Sequence, residues 1–374
     1  MNRARLLAIL IKEFLQLKRD RLTFAMMVGV PIMQLVLFGY AINTDPRALP
    51  TAVLAADDSA FSRSLAAGLE NSGYFRITQR PRSSAQANRL LETGEVQFVL
   101  EIPAGFARQL ERGEHPAILF AADATDPAAS GAALAALAGI GRQVLAHDAQ
   151  GALAHLQPGD MPYEIRVQRR YNPEGLARYN IVPGLIGVIL TMTMVMMTGL
   201  AMTRERERGT MENLLATPAR PIEVMIGKIA PYIGIGYVQV TVVLVAARLL
   251  FDVPMIGSYA LLSAALILFM AANLAVGFTF STIAKSQLQA MQLTFFFFLP
   301  SMLLSGFMFP FRGMPRWAQM IGEVLPLTHF LRIVRGIMLK GNGLAEIAPH
   351  LWPIALFMLV AGTVAMVSYR KTLD

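Results

Sequence analysis

The chain has 374 residues, of which 55% are apolar and 16% are charged, and its formal net charge is +8. Apolar residues in long blocks indicate a membrane protein. Cysteine is absent, which excludes a disulfide framework, a zinc–thiolate site and a cysteine nucleophile. Residues 44–177 hold 12 Arg, no Lys and 15 Asp plus Glu, so the basic excess lies around the apolar blocks. That distribution is typical of membrane flanks and argues against nucleic-acid binding.

Six apolar segments each have close to the ~20 residues that a helix needs to cross the hydrocarbon core. We predict membrane helices at 22–42, 179–203, 229–251, 257–283, 288–310 and 350–368. A basic, amphipathic segment, 1–21, precedes the first span and is predicted to lie as a helix along the inner membrane surface. The first span is not a cleaved signal peptide, because Ala41-Ile42-Asn43 is a poor cleavage site.

Lysine and arginine in the short flanks predict the orientation of the chain. If the N-terminus is cytoplasmic, the inner flanks hold 14 basic residues and the short outer flanks hold six. The side richer in Lys and Arg faces the cytoplasm. Both termini, including the tail 369–374, are therefore predicted inside, and residues 43–178 are predicted outside.

The outside segment 43–178 is predicted to fold as a small α/β sandwich, because strand-like and helix-like stretches alternate along it. Pro103–Phe106 is predicted to be a turn that starts an additional short helix. The predicted strands are Thr51–Ala56, Phe75–Thr78, Val96–Ile102 and Ala117–Ala121, and the longer helices are Ser59–Asn71, Ser83–Leu91 and Pro127–Gln150.

The second outside segment, 311–349, is too broken to span the membrane. Proline and glycine interrupt it at Pro315, Pro326 and Gly341, and Trp317 suits an interfacial position. We predict a re-entrant hairpin of two short helices that dip into the outer leaflet and return.

The inside loop 204–228 begins with a run of alternating charges that must lie in water directly beneath the membrane. Its second half has three apolar residues at helical spacing, with an N-cap before them and a proline after them. Such a short amphipathic helix is a surface that a soluble partner can push; the alternative is a solvated loop whose charges only fix topology. The apolar residues are Met211, Leu214 and Leu215, the N-cap is Thr210, and the proline is Pro218.

The chain lacks the motifs of ATP hydrolysis and of familiar metal or hydrolase sites. No Asp or Glu lies at a span centre, so a proton or sodium relay lacks its usual carboxylate. Methionines in the second span and phenylalanines in the fifth favour a hydrophobic, uncharged path. The alternative for each polar residue is an interhelical hydrogen bond. The candidate pathway residues are Asn180, Met192, Met196, Gln292, Phe296, Ser301 and Ser305.

Distinctive short motifs occur in the inside loop, before the second span and in the outside hairpin. They are Glu207–Pro218 with Gly227-Lys228, Tyr171–Pro173, Ser305–Pro310 with Met314-Pro315, and Pro326–Arg335. Together they resemble the permease subunits of type-2 ABC exporters, of the longer bacterial kind with a large domain after the first span. The resemblance covers essentially the whole chain. It implies an α-helical polytopic membrane protein with six transmembrane helices and an inserted α/β extracytoplasmic domain.

The resemblance implies a half-transporter of the bacterial inner membrane. Two copies, or two closely related paralogues, would form the pathway, and separate cytoplasmic P-loop ATPase subunits would bind ATP and Mg²⁺ and grip the inside loop. This chain would bind no cofactor itself. The longer members commonly engage a periplasmic membrane-fusion adaptor. The ATPase-coupling residues implied by the resemblance are Arg204, Glu205, Arg208, Gly209, Thr210, Met211, Glu212, Leu214, Leu215 and Pro218.

Two other kinds of function remain as alternatives. Hydrophobic or amphipathic small molecules are favoured as substrates, because the spans lack aromatics interleaved with carboxylates; ions, lipids or polymers are the alternative cargo. A membrane sensor with a ligand-binding outside domain is the alternative class. An inside loop of about 25 residues leaves no room for a signalling output domain, which argues against a sensor.

Overall fold

The computed structural model describes residues 46–148, 162–207 and 221–371. Within these ranges an α/β domain is followed by long apolar helices, with a hairpin of short helices between the last two of them. The predicted surface helix 1–21 and the predicted first span 22–42 lie outside the described residues.

The α/β domain is built on one five-stranded sheet with helices on both faces. Its elements are β1 Leu49–Ala55, α1 Ala60–Asn71, β2 Phe75–Gln79, α2 Ser84–Glu92, β3 Phe98–Ile102, α3 Phe106–Glu111, β4 Ala117–Asp123, α4 Pro127–Asp148 and β5 Glu164–Arg170. The strand order is β2-β1-β3-β4-β5. The pairing of β3 with β4 is antiparallel and the other pairings are parallel.

Apolar side chains cover both faces of this sheet. On one face the rings of Phe75, Phe98 and Phe120 lie 5.2 to 5.4 Å apart, and α1 and α4 pack together over them. On the other face α2 contributes Ala87 and Leu91. Burial of a large apolar side chain stabilises the fold by about 1.5–3 kcal/mol, so these two layers hold the domain together.

The strands β1 to β4 and the helices beside them lie close to their predicted positions. The predicted turn Pro103–Phe106 contains Gly105 at φ 73°, a left-handed conformation that favours glycine, and α3 follows it. The fifth strand was not predicted. Five residues of β5 are exposed, so it lacks the alternation of a half-buried strand. The predicted four-strand sandwich is therefore corrected to a five-stranded sheet.

In the described part of the chain, seven α-helices follow the sheet. They are α5 Ala177–Glu207, α6 Pro221–Phe251, α7 Tyr259–Ile283, α8 Gln287–Leu304, α9 Arg316–Val324, α10 Pro326–Arg335 and α11 Leu344–Lys371. Among the described residues, α5, α6, α7, α8 and α11 are long and apolar enough to cross a membrane. α8 ends before the predicted limit of the fifth span at 310, because the chain turns at Gly306, where φ is 84°. α11 begins at Leu344, six residues before the predicted sixth span.

The short helices α9 and α10, with the π-helical turn Gly336–Lys340, form the hairpin, which we define as residues 311–340. α10 is almost wholly buried against the long helices. Its Phe330 stacks on Phe269 of α7 with ring centroids 4.1 Å apart. The hairpin is therefore packed into the helical bundle and also reaches the α/β domain.

Candidate coupling and translocation site

The predicted ATPase-coupling residues begin at the last turn of α5. Arg204 is exposed there, and Glu205 lies in the same helical turn. We call this the loop end of the bundle, because α5 leads from it into the inside loop. The other candidates lie outside the described residues: Arg208, Gly209, Thr210, Met211, Glu212, Leu214, Leu215 and Pro218.

A carboxylate at the loop end joins two long helices. Glu207, the last residue of α5, accepts hydrogen bonds from Gln287, the first residue of α8. The backbone N of Gln287 lies 2.7 Å from Oε1, and its side-chain Nε2 lies 2.5 Å from Oε2. These side-chain and backbone hydrogen bonds hold the pKa of Glu207 below its ordinary value. The carboxylate is therefore ionised at neutral pH.

The predicted pathway residues of α5 and α8 fall into accessible and buried groups. Met192 and Met196 are half-buried on α5. On α8, Gln292 is half-buried and the Phe296 side chain is exposed.

Two predicted pathway serines do not face open space. Ser301 is fully buried and donates to Phe297 O at 2.7 Å, and Ser305 is buried and donates to Met302 O at 3.0 Å. Both hydroxyls are satisfied by their own helical turn, as expected for serine in an apolar helix. Both serines are therefore packed inside this copy of the chain, and their place on the pathway stays a prediction.

Asn180 lies at the opposite end of the bundle, next to the α/β domain, which we call the domain end. Its Oδ1 accepts from Arg335 Nη2 at 3.0 Å, and its Nδ2 donates to Thr125 O at 3.1 Å. Arg335 also donates to Gly306 O at 3.3 Å. Asn180 therefore joins the sheet, α5 and the hairpin. Both ends of the buried amide have partners from other elements, so Asn180 has a structural contact here, and its place on the pathway stays a prediction.

An ion pair at the domain end joins the α/β domain to the hairpin. Lys340 Nζ lies 2.5 Å from Asp123 Oδ2 and 3.1 Å from Leu91 O. The same ammonium lies 5.1 Å from the ring centroid of Tyr171, a cation–π distance. Burial, together with the charge of Asp123, raises the pKa of Tyr171 above its ordinary value. The phenol is therefore neutral at physiological pH.

The motif Tyr171–Pro173 organises the start of α5. Asn172 is fully buried; its Nδ2 donates to Leu176 O at 3.0 Å, and its Oδ1 accepts from Leu176 N at 2.9 Å. This closed amide ring turns the chain from β5 into α5. The resemblance noted for the motif thus corresponds to a structural role at the domain end.

Arg312 makes another contact between the hairpin and the α/β domain. It donates to Gly94 O in the turn after α2. Burial lowers the pKa of Arg312 to about 10, with the nearby charge of Arg332 acting in the same direction.

Sequence reasoning did not find the domain-end contacts made by Asp123, Arg312, Arg335 and Lys340. Three of these residues are basic. Beside an apolar span, a basic residue is ordinarily taken to indicate the orientation of the helix in the membrane. The signal that was available is the number of arginines and lysines in a segment predicted to enter the membrane.

The α/β domain fused to long apolar helices, with polar contacts at both ends of the bundle, has the architecture of a polytopic membrane protein. Residues 21–367 match the family described as ABC-2 family transporter protein. The chain is 26% identical to the probable multidrug ABC transporter permease YbhR of Escherichia coli (strain K12), over 98% of each chain. It is 28% identical to the probable multidrug ABC transporter permease YbhS of the same organism, over 97% of this chain and 94% of the relative. The inner membrane transport permease YhhJ of that organism is 29% identical over 76% of this chain and 75% of its own.

The chain belongs to the ABC-2 family of transporter proteins. It is a membrane translocation subunit of an ABC exporter, and the family places ATP hydrolysis on partner chains. The family predicted from the short motifs is confirmed.

Proposed function

We propose that this chain, with a second copy or a closely related paralogue, forms the export pathway for hydrophobic or amphipathic small molecules. The observation that carries this proposal is one face of α8. Leu288, Met291, Phe295 and Phe296 expose between 39% and 60% of their surface there. No ionisable residue occurs in α8. An uncharged face of large aliphatic, thioether and aromatic side chains suits varied apolar ligands.

The membrane topology is part of the proposal. Six helices cross a bacterial inner membrane, with 22–42 as the first, both termini in the cytoplasm and residues 43–178 in the periplasm. The excess of basic residues in the predicted inner flanks supports this orientation. The placement of the α/β domain and the loop end at opposite ends of α5 is consistent with it.

The energy source in this proposal is a separate pair of cytoplasmic ATPases. They bind ATP and Mg²⁺ and engage residues 204–228, whereas the permease binds no cofactor. A periplasmic adaptor contacts the α/β domain. The similarity to YbhR and YbhS, which are probable multidrug permeases, supports small apolar substrates over ions, lipids and polymers.

The first experiment asks whether the chain retains an ATPase. We would purify it in nanodiscs with a non-hydrolysable ATP analogue, beside a variant with Met211, Leu214 and Leu215 changed to Ser. A P-loop ATPase retained by the wild type and lost from the triple variant is the expected result. An ATPase-free wild-type preparation would overturn the proposal.

A second experiment tests the pathway. In proteoliposomes containing the ATPase, Phe296→Ala should weaken transport of a lipophilic fluorescent dye, because it removes an exposed ring from the proposed path. Trp352→Ala on α11 is the matched control, since that side chain is also exposed, at 62%. Equal transport by both variants and the wild type would exclude this face of α8 from the pathway.

A further inference from the structure

The bond between Glu207 and Gln287 lies where a push on the inside loop enters the bundle. α5 is helical up to Glu207, and the segment predicted to contact the ATPase follows directly. Gln287 opens α8, the helix whose exposed face carries the proposed pathway. The two residues are 80 positions apart in sequence.

The N-terminus of α8 is built so that an added carboxylate is well placed. Ser286 is the N-cap and accepts from Gln289 N at 3.3 Å, while Gln289 Oε1 accepts from Lys285 N at 2.8 Å. These bonds satisfy the N–H of Gln289 in the first turn and the N–H of Lys285 just before the helix. Glu207 satisfies the N–H of Gln287, another donor that no residue of the same helix can bond. Its negative charge also faces the positive end of the helix dipole.

The link is stiff for an exposed contact. Two hydrogen bonds run from one residue to the two oxygens of one carboxylate, so they fix its orientation as well as its distance. Hydrogen bonds to an ionised group are shorter and stronger than neutral ones. A displacement of the last turn of α5 therefore carries the first turn of α8 with it.

We propose that Glu207 is a positioning residue that transmits movement of the inside loop to α8, through the backbone N–H and side chain of Gln287. This role rests on the proposed function, since it requires an ATPase that moves the loop. Glu207 lies at the start of the loop that the ATPase engages, and both of its carboxylate oxygens are bonded to Gln287, so it links that loop to the helix of the proposed pathway. Breaking the link uncouples hydrolysis from transport and leaves the complex assembled.

Gln287→Pro is the decisive variant. Proline is favoured at the first position of a helix, and the preceding Ser286 already has the extended conformation, with φ −142° and ψ 160°, that a following proline requires. The substitution therefore keeps α8 but removes both donors to Glu207. Gln287→Ala is the matched control, because it removes the side-chain donor and keeps the backbone N–H.

The measurements use the full chain with its co-purified ATPase in proteoliposomes. For Gln287→Pro, which lies outside the ATPase-engaging loop, we expect wild-type ATPase retention and about ten-fold less dye transported per ATP hydrolysed, the factor that one hydrogen bond to a charged group is worth. Glu207→Ala should lower the same ratio. Gln287→Ala should lie between these variants and the wild type. Glu207→Gln, which keeps a carbonyl acceptor, should restore part of the loss.

A spectroscopic signal separates transmission from a general loss of activity. Because the chain has no cysteine, a single nitroxide at Leu288→Cys reports on the first turn of α8. When the ATPase is trapped with ATP and vanadate, the nitroxide spectrum should change in the chain that keeps Gln287. In the chain that also carries Gln287→Pro, the spectrum should stay the same.

The outcomes distinguish this role from the proposed function. The role of Glu207 alone would be overturned if Gln287→Pro transported as much dye per ATP as the wild type and its nitroxide spectrum changed on trapping as it does with Gln287 in place. Loss of the ATPase from Gln287→Pro would also overturn it, because the link would then belong to the docking surface. A wild-type chain without any ATPase would overturn the proposed function and this role together.

Discussion

Asp123 and Lys340 are 217 positions apart in the sequence, yet Oδ2 of the aspartate and Nζ of the lysine lie 2.5 Å apart. Their side chains are only 12% and 8% exposed, so solvent and salt screen the pair weakly. Asp123 ends β4 and Lys340 ends the hairpin. The pair therefore fixes the end of β4 against the segment that packs among the long helices.

Lys340→Met should destabilise the protein by about 3–5 kcal/mol, because it leaves the Asp123 carboxylate buried without its partner. Unfolding monitored in detergent by heat or denaturant measures the effect. Lys285→Met, at an exposed lysine, is the control and should change stability by less than about 0.5 kcal/mol. Adding Asp123→Leu to Lys340→Met should recover part of the loss; equal stability of wild type and Lys340→Met would contradict the prediction.

Asn180→Leu should lower the free energy of unfolding by about 1–3 kcal/mol, because Arg335 and the carbonyl of Thr125 would each lose a buried hydrogen-bond partner. Asn180→Asp keeps the acceptor for Arg335 and should cost less. Denaturant titration of both variants measures the difference. If Asn180→Leu kept full stability but lost transport of one substrate, Asn180 would be a pathway residue after all.

The sequence predicts well what depends on neighbours in the chain. A run of about twenty apolar residues is a local signal, and it located α5, α6, α7, α8 and α11. Serine before a helix is another such signal: Ser59 and Ser83 each accept from a backbone N–H in the first turn. These features need no partner from elsewhere in the chain.

What the sequence did not predict depends on distant partners. β5 exposes Arg166 and Val167, and it becomes a strand by pairing with β4 across α4 and residues 149–161. Asn180 in an apolar helix fits a pathway or a structural contact equally well. Its partner Arg335 lies 155 positions away, so the sequence pattern around Asn180 could not reveal this contact.

Gly277→Ala should destabilise the bundle, whereas Gly199→Ala should be tolerated. A Cβ at Gly277 would lie 2.6 Å from the backbone oxygen of Val195, which cannot move without shifting α5, whereas at Gly199 the nearest atom would be 3.7 Å away. Overpacking of this kind costs about 1–3 kcal/mol. Thermal unfolding of the two variants side by side tests the prediction. Similar midpoints would show that α5 and α7 separate more easily than their contact implies.

Glu323 in the hairpin predicts a dependence of stability on pH. Its carboxylate accepts from Arg332 at 3.0 and 2.6 Å and also lies near His329. Burial alone would raise the pKa of Glu323, but the hydrogen bonds and charge of Arg332 outweigh it, so the pKa lies below its ordinary value of 4.5. A depressed carboxyl pKa contributes stability that is present above the unfolded pKa and is lost as pH falls through the folded one.

The free energy of unfolding should therefore decrease as the pH falls below 4.5, and Glu323→Gln should flatten that part of the curve while lowering stability at neutral pH. His329 adds a separate loss of stability that begins at higher pH. Burial lowers the pKa of His329 below 6.5, so the folded form stays neutral at pH values where the unfolded form takes up a proton, and the free energy of unfolding decreases as the pH falls below 6.5. Denaturant unfolding of wild type, Glu323→Gln and His329→Gln from pH 7 to pH 3.5 separates the two effects. A wild-type curve parallel to that of Glu323→Gln below pH 4.5 would mean that the Arg332 contact does not hold the carboxylate ionised.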